Sequence, residues 1–124
     1  MSEIVRTYYE TGKLESEYFE LNGKKNGEYK RYYETGQLNE FYTYTYGKLT
    51  GINKCYHRNG QLNVICTNID GKENGEYKSY YDNGLLQNIC SFIDGKLNGE
   101  YKQYDSTGKL IQTTIYENGI EIKN

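Results

Sequence analysis

The sequence predicts an all-β protein: an elongated, single-layer antiparallel sheet of five tandem hairpins. Three observations carry this. First, one phrase recurs: NGEYKRYY begins at Asn26, NGEYKSYY at Asn74 and NGEYKQY at Asn98, with a worn version, TGINKCYH, in register at Thr50. The spacing is 24 residues, the mark of a repeat array. Second, no stretch carries the helical spacing of apolar residues. Third, the chain has 16 Tyr but few Leu, Val and Phe. Tyr covers sheet surface well and keeps its hydroxyl wet, which suits a thin sheet better than a globular core.

The chain is one repeat domain, 1–124, with repeats at about 2–25, 26–49, 50–73, 74–97 and 98–124. Repeat one starts near Ile4 and lacks the opening glycine found at 27, 51, 75 and 99. Within each repeat a Tyr-rich first strand, such as EYKRYY from Glu28, runs into a short loop at Gly12, Gly36, Gly60, Gly84 or Gly108. Glycine there adopts the left-handed conformation that a hairpin loop requires. A second strand rich in β-branched and aromatic residues follows, such as QLNEFYTYTY from Gln37. It ends in a turn at Gly23, Gly47, Gly71, Gly95 or Gly119, and the chain passes through KKNG or a relative of it into the next repeat. A three-residue loop would place the column Tyr8, Tyr32, Tyr56, Tyr80, Tyr104 opposite the column Leu14, Leu38, Leu62, Leu86, Leu110. Each such pair contributes a few tenths to about 1 kcal/mol. Stacked, the pairs form a Tyr row beside a Leu row, the nearest thing to a core. Ten strands would span roughly 48 Å at the usual inter-strand distance.

Composition excludes several functions. A net charge of −2 gives no basic excess for a nucleic-acid backbone. Met1 to Glu10 has no apolar run or small-residue cleavage site, and no segment has the apolar length of a membrane helix, so a soluble, cytoplasmic protein is expected. Cys55, Cys66 and Cys90 are odd in number and unclustered. Cys66 and Cys90 sit one period apart, roughly 10 Å in a stack of hairpins, beyond disulfide reach. All three read as reduced thiols.

No residue set demands chemistry. His57, the single histidine, stands where other repeats carry Tyr9, Tyr33, Tyr81 and Asp105. Cys55 is two residues away on the same strand, roughly 7 Å by strand rise, too far for a Cys–His pair. His57 reads as a tolerated surface substitution. A basic column runs Arg6, Lys30, Lys54, Lys78, Lys102, but Glu28, Glu76 and Glu100 stand two residues before three of its members, and Glu40 is expected to face Lys30. Neither metal cluster, phosphate loop nor paired carboxylates emerge. No enzyme activity and no cofactor are expected.

The frames GKKNGEYKRYYETGQL from Gly23 and GKENGEYKSYYDNGLL from Gly71 resemble the bacterial variant of the MORN repeat. The chain is also similar to YwqK-type antitoxin or immunity proteins built from that repeat. The resemblance implies an elongated twisted sheet and a binding role, neutralising a partner toxin. A peripheral scaffold that binds anionic lipid through the basic column is the alternative. Identical columns cannot encode specificity, so partner contacts are expected where repeats differ: Tyr42, Tyr44, Tyr46, Asn53, His57 and Arg58. Tyr42, Tyr44 and Tyr46 alternate, so they would share one face. They would either meet a partner or pack on Tyr and Phe of neighbouring repeats. Exposed terminal strands leave a monomer or a weak edge-paired dimer.

Overall fold

The structure, a computed structural model, describes residues 2–123. It is a single open antiparallel sheet with no helix among those residues. The strands are β1 (Glu3–Tyr8), β2 (Leu14–Leu21), β3 (Lys24–Tyr32), β4 (Leu38–Thr45), β5 (Lys48–Leu49), β6 (Gly51–Tyr56), β7 (Leu62–Ile69), β8 (Lys72–Tyr80), β9 (Leu86–Ile93), β10 (Lys96–Leu97), β11 (Gly99–Tyr104), β12 (Leu110–Glu117) and β13 (Ile120–Glu121). The main path runs β1-β2-β3-β4-β6-β7-β8-β9-β11-β12-β13, so chain neighbours are sheet neighbours throughout.

There are 13 strands where ten were expected. β5 and β10 are short leading pieces of first strands, separated from β6 and β11 at Thr50 and Asn98, each next to a glycine, Gly51 or Gly99. That glycine does not open a repeat. It sits at a bulge within the strand, with φ of 107° at Gly27 and 99° at Gly75. In β2–β3, pairing passes from Tyr18↔Tyr29 to Glu20↔Lys25, so three residues of β3 face Phe19 alone. β13 opens a sixth copy of the same element.

The first glycine column closes three-residue loops. In repeat two, Tyr33 N–H donates to the Gln37 carbonyl and Gly36 N–H to the Tyr33 carbonyl. The predicted register follows: Tyr32 opposes Leu38, Tyr56 opposes Leu62 and Tyr80 opposes Leu86. The second glycine column forms two-residue turns in which both central residues have positive φ, as the strand twist demands. Four of the five leading turn residues are Asn or Asp: Asn22, Asp70, Asp94 and Asn118. The fifth is Tyr46, with φ of 47°.

Residues directly opposite in the ladder share a face, so register sorts the side chains. One face, the lysine face, carries a line across the sheet in which cations alternate with apolar groups: Lys30, Phe41, Lys54, Ile65, Lys78, Ile89, Lys102. The lysine stems cover Phe and Ile while the ammonium groups stay wet. Glu40 opposes Arg31, so it lies on the other face from Lys30, contrary to expectation. A bulge between Arg31 and Tyr32 shifts the count by one.

The opposite, tyrosine face holds the burial. Ser16, Asn53, Asn68, Ser79 and Cys90 are the five buried residues among those described, none more than 5% exposed, and register places all of them here. The Tyr–Leu columns are therefore not the core. Their inner members are half-buried, and Tyr8 and Leu110 at the ends are exposed.

Candidate binding surface

The tyrosine face is built by a rule repeated along the array. In repeats two, four and five an aromatic residue on the second strand lies opposite the bulge glycine: Tyr44 on Gly27, Phe92 on Gly75, Tyr116 on Gly99. Each meets a first-strand tyrosine edge-on. Centroids are 6.1 Å apart for Tyr29–Tyr44, 6.1 Å for Tyr77–Phe92 and 6.3 Å for Tyr101–Tyr116. The glycine supplies the positive φ of the bulge, and the edge-to-face geometry suits the ring quadrupoles. Tyr18 and Tyr42 flank Tyr29 at 5.3 and 6.0 Å, so the first half of the face is a continuous aromatic sheet. Burial raises the hydroxyl pKa of Tyr29, Tyr42, Tyr44, Tyr77 and Tyr101. Tyr42 has a second cause, its donation to Glu40 Oε2.

Repeat three breaks the rule. The aromatic pair becomes Asn53 and Asn68, only 3% and 5% exposed. Asn53 Nδ2 donates to Asn68 Oδ1 at 2.8 Å and to the Gly51 carbonyl at 3.2 Å, while its Oδ1 accepts from Thr43 N–H at 2.9 Å. A buried amide survives only when its groups are matched, and these are. Asn53 is thus a structural residue and not a surface contact.

The other predicted contacts disperse. Tyr42 and Tyr44 do share the tyrosine face, packed on Tyr29. Tyr46 lies past the end of β4, in a turn on one long edge, with Lys24 Nζ 4.6 Å from its ring centroid. His57 and Arg58 lie in the loop after β6, on the opposite long edge. Arg58 stacks on Tyr33 at 4.9 Å.

His57 is a tolerated replacement of Tyr, but one that keeps a structural link. The Tyr9, Tyr33 and Tyr81 hydroxyls donate to the carbonyls of Tyr32, Tyr56 and Tyr104, each one repeat ahead, at 2.5, 2.5 and 2.7 Å. His57 Nε2 makes the same link to the Tyr80 carbonyl at 2.7 Å. Asp105, the last of the column, turns inward and accepts from Thr107 and Lys109 N–H in its own loop. Position 57 needs a donor at the end of a ring, and both Tyr and His supply one. The period was legible in sequence; the bond it served was not.

Cys55, half-buried on the tyrosine face, has its thiol pKa raised by burial. Burial also pushes the Cys66 and Cys90 thiols up to about 11. Three protonated thiols and an engaged histidine offer no activated nucleophile. On the lysine face, Arg6 pairs with Glu17 at 2.8 Å, Lys30 with Glu28 at 3.9 Å and Lys78 with Glu76 at 3.1 Å.

Sequence reasoning missed two residues of the tyrosine face. Lys25 places its ammonium 5.3, 5.6 and 5.6 Å from the ring centroids of Tyr18, Tyr29 and Tyr44. Glu73 holds the same place two repeats on, and its Oε2 is covered and without a hydrogen-bond partner. Their column also contains Leu49, Leu97 and Glu121, so no regularity marked it.

A family model described as "MORN repeat variant" matches residues 4–24, 25–45, 49–67, 73–94 and 97–118. No curated protein matches the chain.

Proposed function

Because the chain belongs to the MORN repeat variant family, we propose that it is a non-enzymatic protein-binding module that docks its partner on the tyrosine face. The observation that carries this is the contiguous aromatic surface of Tyr18, Tyr29, Tyr42 and Tyr44, resumed beyond the Asn53–Asn68 pair by Tyr77 with Phe92 and by Tyr101 with Tyr116. A single-layer sheet has no second layer to cover it. Large, stiff, amphipathic rings give contact area at low entropy cost, which is why they anchor protein interfaces. A partner held there is neutralised by occlusion, the mode of an antitoxin or immunity protein.

A lipid-binding scaffold fits less well. Three of the five basic residues are already paired with acids, and the lysines alternate with Phe and Ile whose cover they provide. Two lysines without an ion pair among the described residues, Lys54 and Lys102, are a weak magnet for an anionic surface.

The test is titration of the purified product of the neighbouring gene, with a parallel vesicle assay. A stoichiometric complex that weakens on Tyr44→Ala, and not on the double change Lys54→Ala with Lys102→Ala, supports the reading. Association with vesicles of phosphatidylserine that is released by salt and abolished by the lysine changes would overturn it.

A further inference from the structure

The repeat symmetry of the tyrosine face contains its own template for a ligand. In repeat two a cation sits on an aromatic nest: Lys25 over Tyr18, Tyr29 and Tyr44. Advancing two periods, 48 residues, carries Tyr29 to Tyr77, Tyr44 to Phe92 and Tyr18 to Cys66. The Tyr77–Phe92 pair keeps the geometry of its counterpart, with centroids 6.1 Å apart and planes at 72° in both. The nest is therefore repeated, but the cation is not: its place holds Glu73.

We propose that the nest formed by Cys66, Glu73, Tyr77 and Phe92 receives a lysine or arginine side chain of the partner protein, in the place that Lys25 fills internally. This deepens the binding reading above and rests on it. Charge complementarity points to a cationic guest. Glu73 Oε2 lacks any hydrogen-bond partner, and no ion pair reaches Glu73 among the described residues. Its facing residue is Asn68, a neutral amide. The rest of the face also leans acidic: Glu3, Glu20, Glu40 and Glu121 lie on it by register, against only Lys25 and Arg31. A partly desolvated carboxylate without a cation is unfavourable, and a guest base relieves this while stacking on two rings. The neighbouring Asn53–Asn68 pair is shorter than the tyrosines around it, so a guest side chain approaches Glu73 over amides instead of rings.

The nest can be filled from within, which gives a sharp experiment. Glu73→Lys should lay its ammonium over Tyr77 and Phe92 as Lys25 does over its own rings, fold normally, and block the site. Random linear peptides displayed on phage are selected on the immobilised full chain, and the enriched peptides are synthesised and titrated. The expected peptides share a Lys or Arg beside apolar residues. Their affinity falls about tenfold or more on Glu73→Gln and is lost on Glu73→Lys, while both variants keep the parent's circular dichroism. The Glu73 carboxyl, followed by carbon NMR, should titrate above the ordinary carboxylate range in the free chain and move down when peptide binds. Peptides without a base, or peptides that bind both variants as tightly as the parent, overturn this inference and leave the binding reading standing. A selection that yields no peptide bound to the tyrosine face overturns both.

Discussion

Tyr46 stands in a left-handed backbone conformation that the four equivalent turns give to Asn or Asp. Those short side chains tolerate positive φ; a bulky ring does not, at a cost of about 1–2 kcal/mol. The compensating contact, Lys24 over an exposed ring, supplies only about 0.5 kcal/mol. Tyr46→Asn is therefore expected to stabilise the chain by about 0.5–1 kcal/mol, read as a higher urea midpoint at unchanged slope. A midpoint below the parent's would show that the ring contributes more than the strain removes. A residue that weakens the fold and stays exposed is a natural place for a partner contact at the edge of the sheet. The cysteines give a second test at this scale. Burial holds Cys66 and Cys90 near a pKa of about 11, above the usual thiol value of 9.0. A folded-state pKa raised in this way favours folding while the thiol stays protonated. That contribution is complete below pH 9 and fades as pH rises toward 11. Alkylation at neutral pH should accordingly be much slower than for a free cysteine, and denaturation midpoints should fall across that alkaline window. Rates equal to a free thiol's would contradict the burial.

At the level of the element, repeat three exchanges an aromatic pair for an amide pair, and the two solutions are not interchangeable one residue at a time. Asn53→Ala leaves Thr43 N–H buried without a partner, at about 1–3 kcal/mol, and leaves Asn68 Oδ1 only the weak Cys66 thiol donor at 3.7 Å. The expected loss is about 2–4 kcal/mol. Asn53→Tyr together with Asn68→Phe rebuilds the pair seen in repeat four and should recover most of it. Equal stability of single and double variants in urea would refute the coupling. His57 follows the same logic across a repeat boundary. His57→Tyr keeps a donor for the Tyr80 carbonyl and should be neutral, whereas His57→Phe should cost about 1 kcal/mol. These cases show what the sequence discloses. Columns of Gly, Tyr and Leu announced hairpins, loops and register because backbone geometry restricts them the same way in every repeat. The candidate surface was legible only at Tyr42 and Tyr44, where simple alternation holds. The bulge beside Leu38 inserts one extra residue, and alternation counted through it assigned Glu40 to the wrong neighbour; the bulge at the third glycine column inserts two, which hides the pairing but keeps the face. Tyr46 was counted onto a strand that had already ended. Asn53 was read as a surface variation because a polar residue within a strand pattern does not reveal that another, fifteen positions away, completes it.

For the whole molecule, the topology forbids a shared core: every strand on the main path pairs with its chain neighbour, and the strongest links beyond the ladders reach one repeat ahead. The second-turn glycines add to this coupling. Gly47, Gly71, Gly95 and Gly119 each donate N–H to a carbonyl of the preceding repeat, those of Lys25, Leu49, Glu73 and Leu97. Stability is then a sum of repeat terms and nearest-neighbour terms, and a central strand is held from both sides while an outer one is held from one. Exposure follows the same gradient. All five buried residues lie between Ser16 and Cys90, whereas β12 carries Leu110, Ile111 and Ile115 at 47, 64 and 42% exposure. Native-state amide exchange should therefore show the greatest opening free energies in β4 to β8 and lower ones toward β1 and β12, with unfolding from the ends inward. Breaking a central link sharpens the prediction. His57→Phe weakens the junction between repeats three and four, so it should lower protection in β6 to β9 more than in β1, where Tyr9→Phe should act instead. The contrast is read by comparing exchange maps of the two variants with the parent. Uniform loss of protection in every strand from either change would mean that the sheet unfolds as one unit, and that the nearest-neighbour account of this fold is wrong.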